Sequence, residues 1–251
     1  MLFVCIPVHN EAQTAGLVLW RIRKAFAEFP REYELLVYND GSSDATAEVL
    51  APYADALPVT ILGGQEHVGY ARAIDALLRA ALERCRYPRR DAVILMQGDF
   101  TDQPEHIAEL VKRFEGGADI VAGESSLDHM PKPVRQLHRM GRWLARRFAR
   151  VPGVTDLLGS FRLFRVTVVR DAVRAAGDKA IVEGDGVGAN VDLLLAMAPH
   201  ARRIETVALQ PRYDLRMRES RIRPWHDAFR LYRFGREARA RRPQLRLAEP
   251  A

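Results

Sequence analysis

This sequence predicts an α/β fold, a mostly parallel sheet flanked by helices and built as a single domain. Three observations predict it. Short apolar runs alternate with helical patterns through the first half, polar turn-forming clusters follow the ends of those runs, and 48% of the 251 residues are hydrophobic, enough for one sizeable core.

Leu2–Pro7 reads as the first strand, and Ala12–Phe29 as a helix with Leu17, Trp20 and Phe26 among its apolar positions. Glu34–Tyr38 is the second strand, and it runs into Asn39-Asp40-Gly41-Ser42-Ser43-Asp44, turn chemistry that also suits the start of a helix over Ala45–Tyr53. Val59–Leu62 is the third strand. After Gly63-Gly64 and a His67-Val68-Gly69 turn comes a long helix, Tyr70 to Cys85. Ala92–Met96 is the fourth strand, closed by Gln97-Gly98-Asp99-Phe100-Thr101-Asp102, with Pro104 opening the next helix. Asp119–Gly123 is the fifth strand.

The net charge of +6 hides its own distribution. Pro131 to Arg150 holds seven basic residues and no acid, and Arg212 to Arg246 holds twelve Arg against four acids, so the remainder is strongly acidic. On a helical wheel Arg135, Arg139, Arg142, Arg146 and Arg150 fall within about 80° of arc, opposite Leu137, Met140, Leu144 and Phe148. That is an amphipathic helix whose arginine stripe is either solvated or turned to an anion. Trp225, Phe229 and Tyr232 form a second stripe with Arg223, Arg230, Arg233 and Arg236 nearby, suited to packing on the domain or to a membrane interface. No nucleic-acid motif accompanies the basic strips, so nucleic acid is not expected as a partner. No apolar stretch approaches the length of a membrane span, and the N-terminus shows no leader. With only Cys5 and Cys85, neither a disulfide framework nor a thiolate metal site is expected, and a reducing cytoplasm is the expected compartment.

In open α/β sheets, ligands bind at the carboxyl ends of the strands. Val8-His9-Asn10-Glu11, Asp40, and Asp99 with Asp102 all stand there. The chain has neither a Gly-rich Lys-Ser/Thr loop nor a Gly-x-Gly-x-x-Gly after the first strand, so phosphate must be held in another way. Aspartate oxygens holding Mg²⁺ or Mn²⁺ can do it, which points to a nucleoside-diphosphate ligand.

These motifs resemble family 2 glycosyltransferases with the GT-A fold. The matching pieces are Ile6-Pro7-Val8-His9-Asn10-Glu11-Ala12, Tyr38 to Thr46, Gly69-Tyr70-Ala71-Arg72-Ala73 and Ile94 to Glu105. Gly159 to Arg165 and Tyr213 to Ile222 resemble the subset that includes dolichol- and polyprenyl-phosphate sugar synthases. The resemblance runs from about residue 2 to 225. It implies a glycosyltransferase domain over 1–225, a nucleotide-sugar half over 1–123, an acceptor half over 124–225, and a basic C-terminal helix and tail over 226–251.

Carried over by position, it implies that Pro7, His9, Glu11, Asp40, Arg72, Gln97 and Gly98 bind a UDP- or GDP-sugar, Asp40 pairing with the base. Asp99 takes the second acidic position of the family's Asp-x-Asp element, where the first is Gln97, a neutral oxygen in place of an anion. A divalent cation would then rest on Asp99, Asp102, Gln97 and Thr101. Arg135, Arg139, Arg142, Arg162, Arg216, Ser220 and Arg221 are expected at an anionic acceptor such as a polyprenyl phosphate, with peripheral contact at the inner face of a membrane. The implied chemistry is an inverting transfer in which Asp99 supports the leaving diphosphate. A phosphate acceptor needs no protein base. A hydroxyl acceptor on a soluble glycan or metabolite does, and Asp185 or Asp192 is the candidate. A binding protein without catalysis is the remaining option that Gln97 leaves open.

Overall fold

In the computed structural model, residues 1–127, 130–148, 151–184 and 186–210 are described, with the side chains of 144–148 and of Val187 left aside. Seven strands form one sheet: β1 (Leu2–Val8), β2 (Tyr33–Asp40), β3 (Val59–Gly64), β4 (Ala92–Leu95), β5 (Ile120–Ser125), β6 (Arg162–Arg165) and β7 (Ile204–Leu209). Their order is β3-β2-β1-β4-β6-β5-β7. All neighbours are parallel except β6, which runs antiparallel to both β4 and β5.

The helices are α1 (Ala15–Glu28), α2 (Thr46–Ala56), α3 (Tyr70–Arg84), α4 (Ile107–Glu115), α5 (Lys132–Phe148), α6 (Val166–Ala176) and α7 (Val187–Met197). A short 3-10 turn at Pro104–His106 leads into α4. The fold is therefore the mostly parallel α/β architecture that the strand–helix alternation predicts.

Strand periodicity explains the two cores. Successive residues of a strand point to opposite faces. Phe3, Cys5, Val93 and Leu95 thus join one apolar cluster with Ile74 and Leu77 of α3, Val168 and Val169 of α6, and Leu193 and Leu194 of α7. Leu2, Val4, Ile6, Ala92 and Ile94 join the other, with Val18, Leu19 and Ile22 of α1, Leu50 of α2, and Leu110 and Phe114 of α4. Each fully buried Leu, Ile or Phe contributes about 1.5–3 kcal/mol relative to exposure. β1 and β4 are buried along their whole length because both faces are covered.

Some elements differ from expectation for local reasons. Strand β2 runs on to Asp40, so Asn39 and Asp40 lie within the sheet, paired in register with Gly63 and Gly64 of β3. Helix α1 starts at Ala15 and not Ala12, because residues 10–14 are bonded to the neighbouring loop. Leu17 and Trp20 are about half exposed, whereas Phe26 is buried. In α5, Leu137 faces the core and Arg139 faces solvent, as the wheel predicts. Val134 and His138 are also buried, and Met140, Arg135 and Arg142 are half-buried, so the buried face is turned from the predicted one. Residues 211–251, including the predicted second stripe, lie outside the described residues. No helix among the described residues is long and apolar enough to cross a membrane.

Candidate active site

At the carboxyl edge of β1 and β2, two loops are laced together. The Asn10 amide donates to Ser42 Oγ (3.0 Å), the Glu11 amide to Thr46 Oγ1 (2.9 Å) and the Ala12 amide to Asp44 Oδ2 (3.2 Å). In return the Ser43 amide donates to Asn10 Oδ1 at 2.7 Å. Asn10 holds a positive φ of 53°, a conformation that asparagine tolerates better than most residues. The Thr14 hydroxyl stands between the buried Glu11 carboxylate (3.1 Å) and the Gly98 carbonyl (2.9 Å), sharing its one hydrogen, and so ties this loop to the end of β4. Pro7 is buried in β1, just below the loop.

Asp40 ends β2 and is almost completely buried. Its Oδ1 accepts the Val68 amide at 2.7 Å, and the Gly69 amide lies 3.1 Å from Oδ2. His67 Nδ1 stands 3.0 Å from Asp40 Oδ2, and His9 Nδ1 stands 2.6 Å from the Asp40 carbonyl. The two imidazoles lie against each other, tilted by 36°, with centroids 4.3 Å apart. Gly41 makes this possible: its φ is +59°, and a Cβ there would lie 2.6 Å from the His67 amide nitrogen. His67 is the residue that sequence reasoning passed over. It is separated from Asp40 by the whole of β3, and the bonds from Val68, Gly69 and His67 to Asp40, packed over Gly41, bring the two turns together. Arg72 is exposed in the first turn of α3, the helix that starts beside Asp40.

The turn after β4 holds the second cluster. Gly98 packs where a Cβ would lie 2.7 Å from Val8 Cγ1, and Phe100 is buried with a φ of 68°, a strained backbone for an aromatic residue. Asp99 and Asp102 are both buried. Asp99 Oδ1 accepts the Thr101 amide at 3.0 Å. Asp102 Oδ2 accepts the Gln97 amide at 2.9 Å and the Ser160 hydroxyl at 3.0 Å. Gln97 Nε2 donates to the Tyr70 hydroxyl, which donates to Asn190 Oδ1 of α7. Burial pushes the Asp102 carboxyl up to about 7; Asp99 pushes the same way, while the Gln97 amide, Ser160 and Arg162 oppose. Burial also raises the Tyr70 phenol.

The donor set suits Mg²⁺ or Mn²⁺. Two carboxylates, a carboxamide oxygen and a hydroxyl are all hard ligands, and the buried Thr101 hydroxyl has no hydrogen-bond partner of its own. Gln97, Asp99, Thr101 and Asp102 lie within one turn, so the four positions expected of the cation do share a place in the fold.

The expected acceptor residues separate. Arg139 is exposed on α5, while Arg135 and Arg142 are half-buried. Arg142 Nη2 donates to the Ser125 carbonyl at the end of β5, and its buried Nε is unpartnered. Arg162 is fully buried in β6, its guanidinium donating to the carbonyls of Asn190 and Leu157, and burial lowers it to about 10. It works as an internal strut behind Asp102 and presents nothing to solvent. Asp192 Oδ2 accepts the amides of Glu183 and Gly184 and so holds the loop before α7. Asp185, Arg216, Ser220 and Arg221 lie outside the described residues, as do the side chains of Leu144, Arg146 and Phe148 and the whole of Arg150.

Helix α5 is fastened by a buried pair, His138 Nδ1 to Asp156 Oδ2 at 3.1 Å. Burial alone would raise the Asp156 carboxyl, but the bond to His138, the charges of His138 and Arg142 and the Leu158 amide outweigh it, and the net shift is downward.

Known proteins share the sequence family and the fold. The family described as glycosyl transferase family 2 matches residues 3–172. An undecaprenyl-phosphate 4-deoxy-4-formamido-L-arabinose transferase of Photorhabdus laumondii is 32% identical over 118 residues, covering 47% of this chain and 35% of the relative. One of the same name from Pseudomonas fluorescens is 30% identical over 183 residues, covering 70% of this chain and 50% of the relative. The matched segments thus span half or less of these relatives' length. Among solved structures, the glucosyl-3-phosphoglycerate synthase of Mycobacterium tuberculosis, crystallised with Mn²⁺, UDP-glucose and phosphoglyceric acid, aligns with a TM-score of 0.61 at 15% identity, covering 96% of this chain and 80% of that one. S. aureus TarS with UDP-GlcNAc aligns with a TM-score of 0.57 at 14% identity, covering 94% and 66%. At such identities these structures bear on the fold.

Proposed function

The chain belongs to glycosyl transferase family 2, and from that premise we propose that it is a glycosyltransferase moving a sugar from a nucleoside-diphosphate donor to a polyprenyl-phosphate-like or other anionic acceptor. The carrying observation is the convergence of the Asp40 loops and the Asp99–Asp102 turn on one sheet edge, tied to each other through Thr14 and the Gly98 carbonyl. The names of the curated relatives support the acceptor class.

In this reading the His9–Asp40–His67 corner takes the nucleobase, with Pro7, Glu11 and Arg72 around the nucleoside and diphosphate. Asp40 can pair with either a uracil or a guanine edge, so the base is left to experiment. Asp99, Asp102, Thr101 and Gln97 would hold the divalent cation, which supplies positive charge to the diphosphate as it leaves. Gln97 is oriented by Tyr70, and Asp102 by the Gln97 amide and Ser160. Inversion at the anomeric carbon follows if the acceptor oxygen attacks opposite the diphosphate. A lipid phosphate arrives already ionised and asks no base of the protein. Arg139 and Arg135 on α5 suit its charge, since guanidinium groups bind phosphate bidentately.

A thermal-shift panel of UDP, GDP, dTDP and CDP, with and without Mn²⁺, tests the donor side, because a ligand that binds only the native state raises its melting temperature. One nucleotide stabilising in a Mn²⁺-dependent way is the expected result; no shift from any of them would sink the donor reading. Asp192→Asn tests the acceptor side. Asp192 Oδ2 already accepts the amides of Glu183 and Gly184. Retained transfer by Asp192→Asn fits a phosphate acceptor, and its loss in a folded variant would favour a hydroxyl acceptor.

A further inference from the structure

We propose that His9, Asp40 and His67 form a second metal site, for a borderline transition ion of the Zn²⁺ class, distinct from the hard-oxygen cluster after β4. One ligand atom from each, two imidazole nitrogens and a carboxylate oxygen, lie within 4.8 Å of one another. That donor set is the one Zn²⁺ takes: nitrogen and oxygen at about 2.0–2.2 Å, with a fourth position for water. Mg²⁺, by contrast, favours oxygen alone.

The corner is built and not merely crowded. Asp40 is held by the amides of Val68 and Gly69, so its carboxylate has a fixed direction. The His9 and His67 rings each contact the Asp40 carbonyl through Nδ1, at 2.6 and 3.1 Å. His67 Nδ1 also stands 3.0 Å from Asp40 Oδ2, so the same ring nitrogen faces both the carbonyl and the carboxylate, and a bound ion would replace these contacts. His67 is well exposed while Asp40 is buried, so an ion has an approach from solvent. The Gly41 close contact fixes the turn that carries His67.

The consequence rests on the donor reading above: an ion bound here occupies the ground assigned to the nucleobase, so Zn²⁺ and nucleotide exclude each other. The enzyme would then respond to two metals in opposite senses, helped by Mg²⁺ or Mn²⁺ at Asp99 and blocked by Zn²⁺ at Asp40.

The test is calorimetric titration of ZnCl₂ into the unliganded protein, into His67→Ala and into Asp99→Asn, followed by titration into wild type saturated with UDP. The expected result is one Zn²⁺ per wild-type chain, affinity weakened at least about tenfold in His67→Ala, little change in Asp99→Asn, and weakened Zn²⁺ binding in the presence of UDP. His67 is largely exposed, so its variant should fold, and its melting temperature checks that. Unchanged affinity in His67→Ala, or loss in Asp99→Asn instead, would overturn the site. Additive binding of UDP and Zn²⁺ would overturn the competition. The metal titrations need no nucleotide, so failure of UDP to bind would count against the donor reading while leaving the site judged on its own.

Discussion

Two turns on the same sheet edge use aspartate in opposite ways. Around Asp40 and Asp44 the carboxylates are surrounded by donors: the amides of Val68, Gly69, Ala12 and Thr46, and the ring of His67. The net shift of Asp44 is accordingly downward; burial pushes it up, but the Thr46 and Ala12 bonds prevail. After β4, Asp99 and Asp102 are buried side by side, Asp102 with one amide and one hydroxyl on a single oxygen, and it rises to about 7. In the first corner the Asp40 carboxylate is oriented by a hydrogen-bonded frame, with the two imidazoles beside it. In the second, burial is the main cause of the rise and the neighbouring Asp99 adds to it, so two carboxylates lie together where a cation would favour their ionised forms.

The contrast is broken most directly at Asp99. Asp99→Asn should cut sugar transfer by about a thousandfold, the order expected when a group stabilising a leaving anion is removed, with the fold kept by circular dichroism. A loss below tenfold would mean that the second corner is not where the diphosphate is held.

Asp102 sharpens it through pH. Its folded pKa, about 7, lies above the ordinary 3.8, so folding favours the protonated acid. The stability this contributes is present below pH 3.8 and lost as pH rises through 7. Asp102→Asn, melted in chelator, should therefore be more stable than wild type by about 1–3 kcal/mol at pH 8, the margin shrinking towards pH 4. A margin that is negative or independent of pH would refute the imbalance.

In the first corner, Gly41→Ala forces a side chain onto a positive φ and against His67, and should cost about 1–3 kcal/mol of stability by chemical denaturation. Asp40→Asn keeps the shape but loses the charge. It should weaken nucleotide binding about tenfold, on the scale of a hydrogen bond to a charged group, with little change in Mn²⁺ affinity at the other corner. Equal losses of both would mean that the corners are not separable.

How much of this was legible depends on distance along the chain. The β1 pattern and the α5 stripe are patterns within one element, and buried Leu137 with exposed Arg139 agrees with them, whereas the half-burial of Arg135 and Arg142 depends on what α5 packs against. The Asp40 and Asp99 clusters were legible because a strand end is a local event. Arg162 was misplaced for a topological reason: its strand slots antiparallel between β4 and β5, which buries it behind the site. The Asp102–Ser160 and Tyr70–Asn190 bonds join residues that only the finished sheet brings together, and the loop held by Asp192 looks from sequence like an acidic motif before a helix.

The position of β6 also has a consequence for how the chain is made. As synthesis proceeds, β4 and β5 both emerge before the strand that hydrogen-bonds to each of them, and β5 pairs next with β7, later still. A nascent chain that stops short of residue 162 therefore carries raw strand edges at β4 and β5, the kind of surface that recruits other chains. When β6 arrives it closes the facing edges of β4 and β5 at once and brings Arg162 behind Asp102, so the acidic turn is backed in a late, long-range step and only β7 is left to join the sheet.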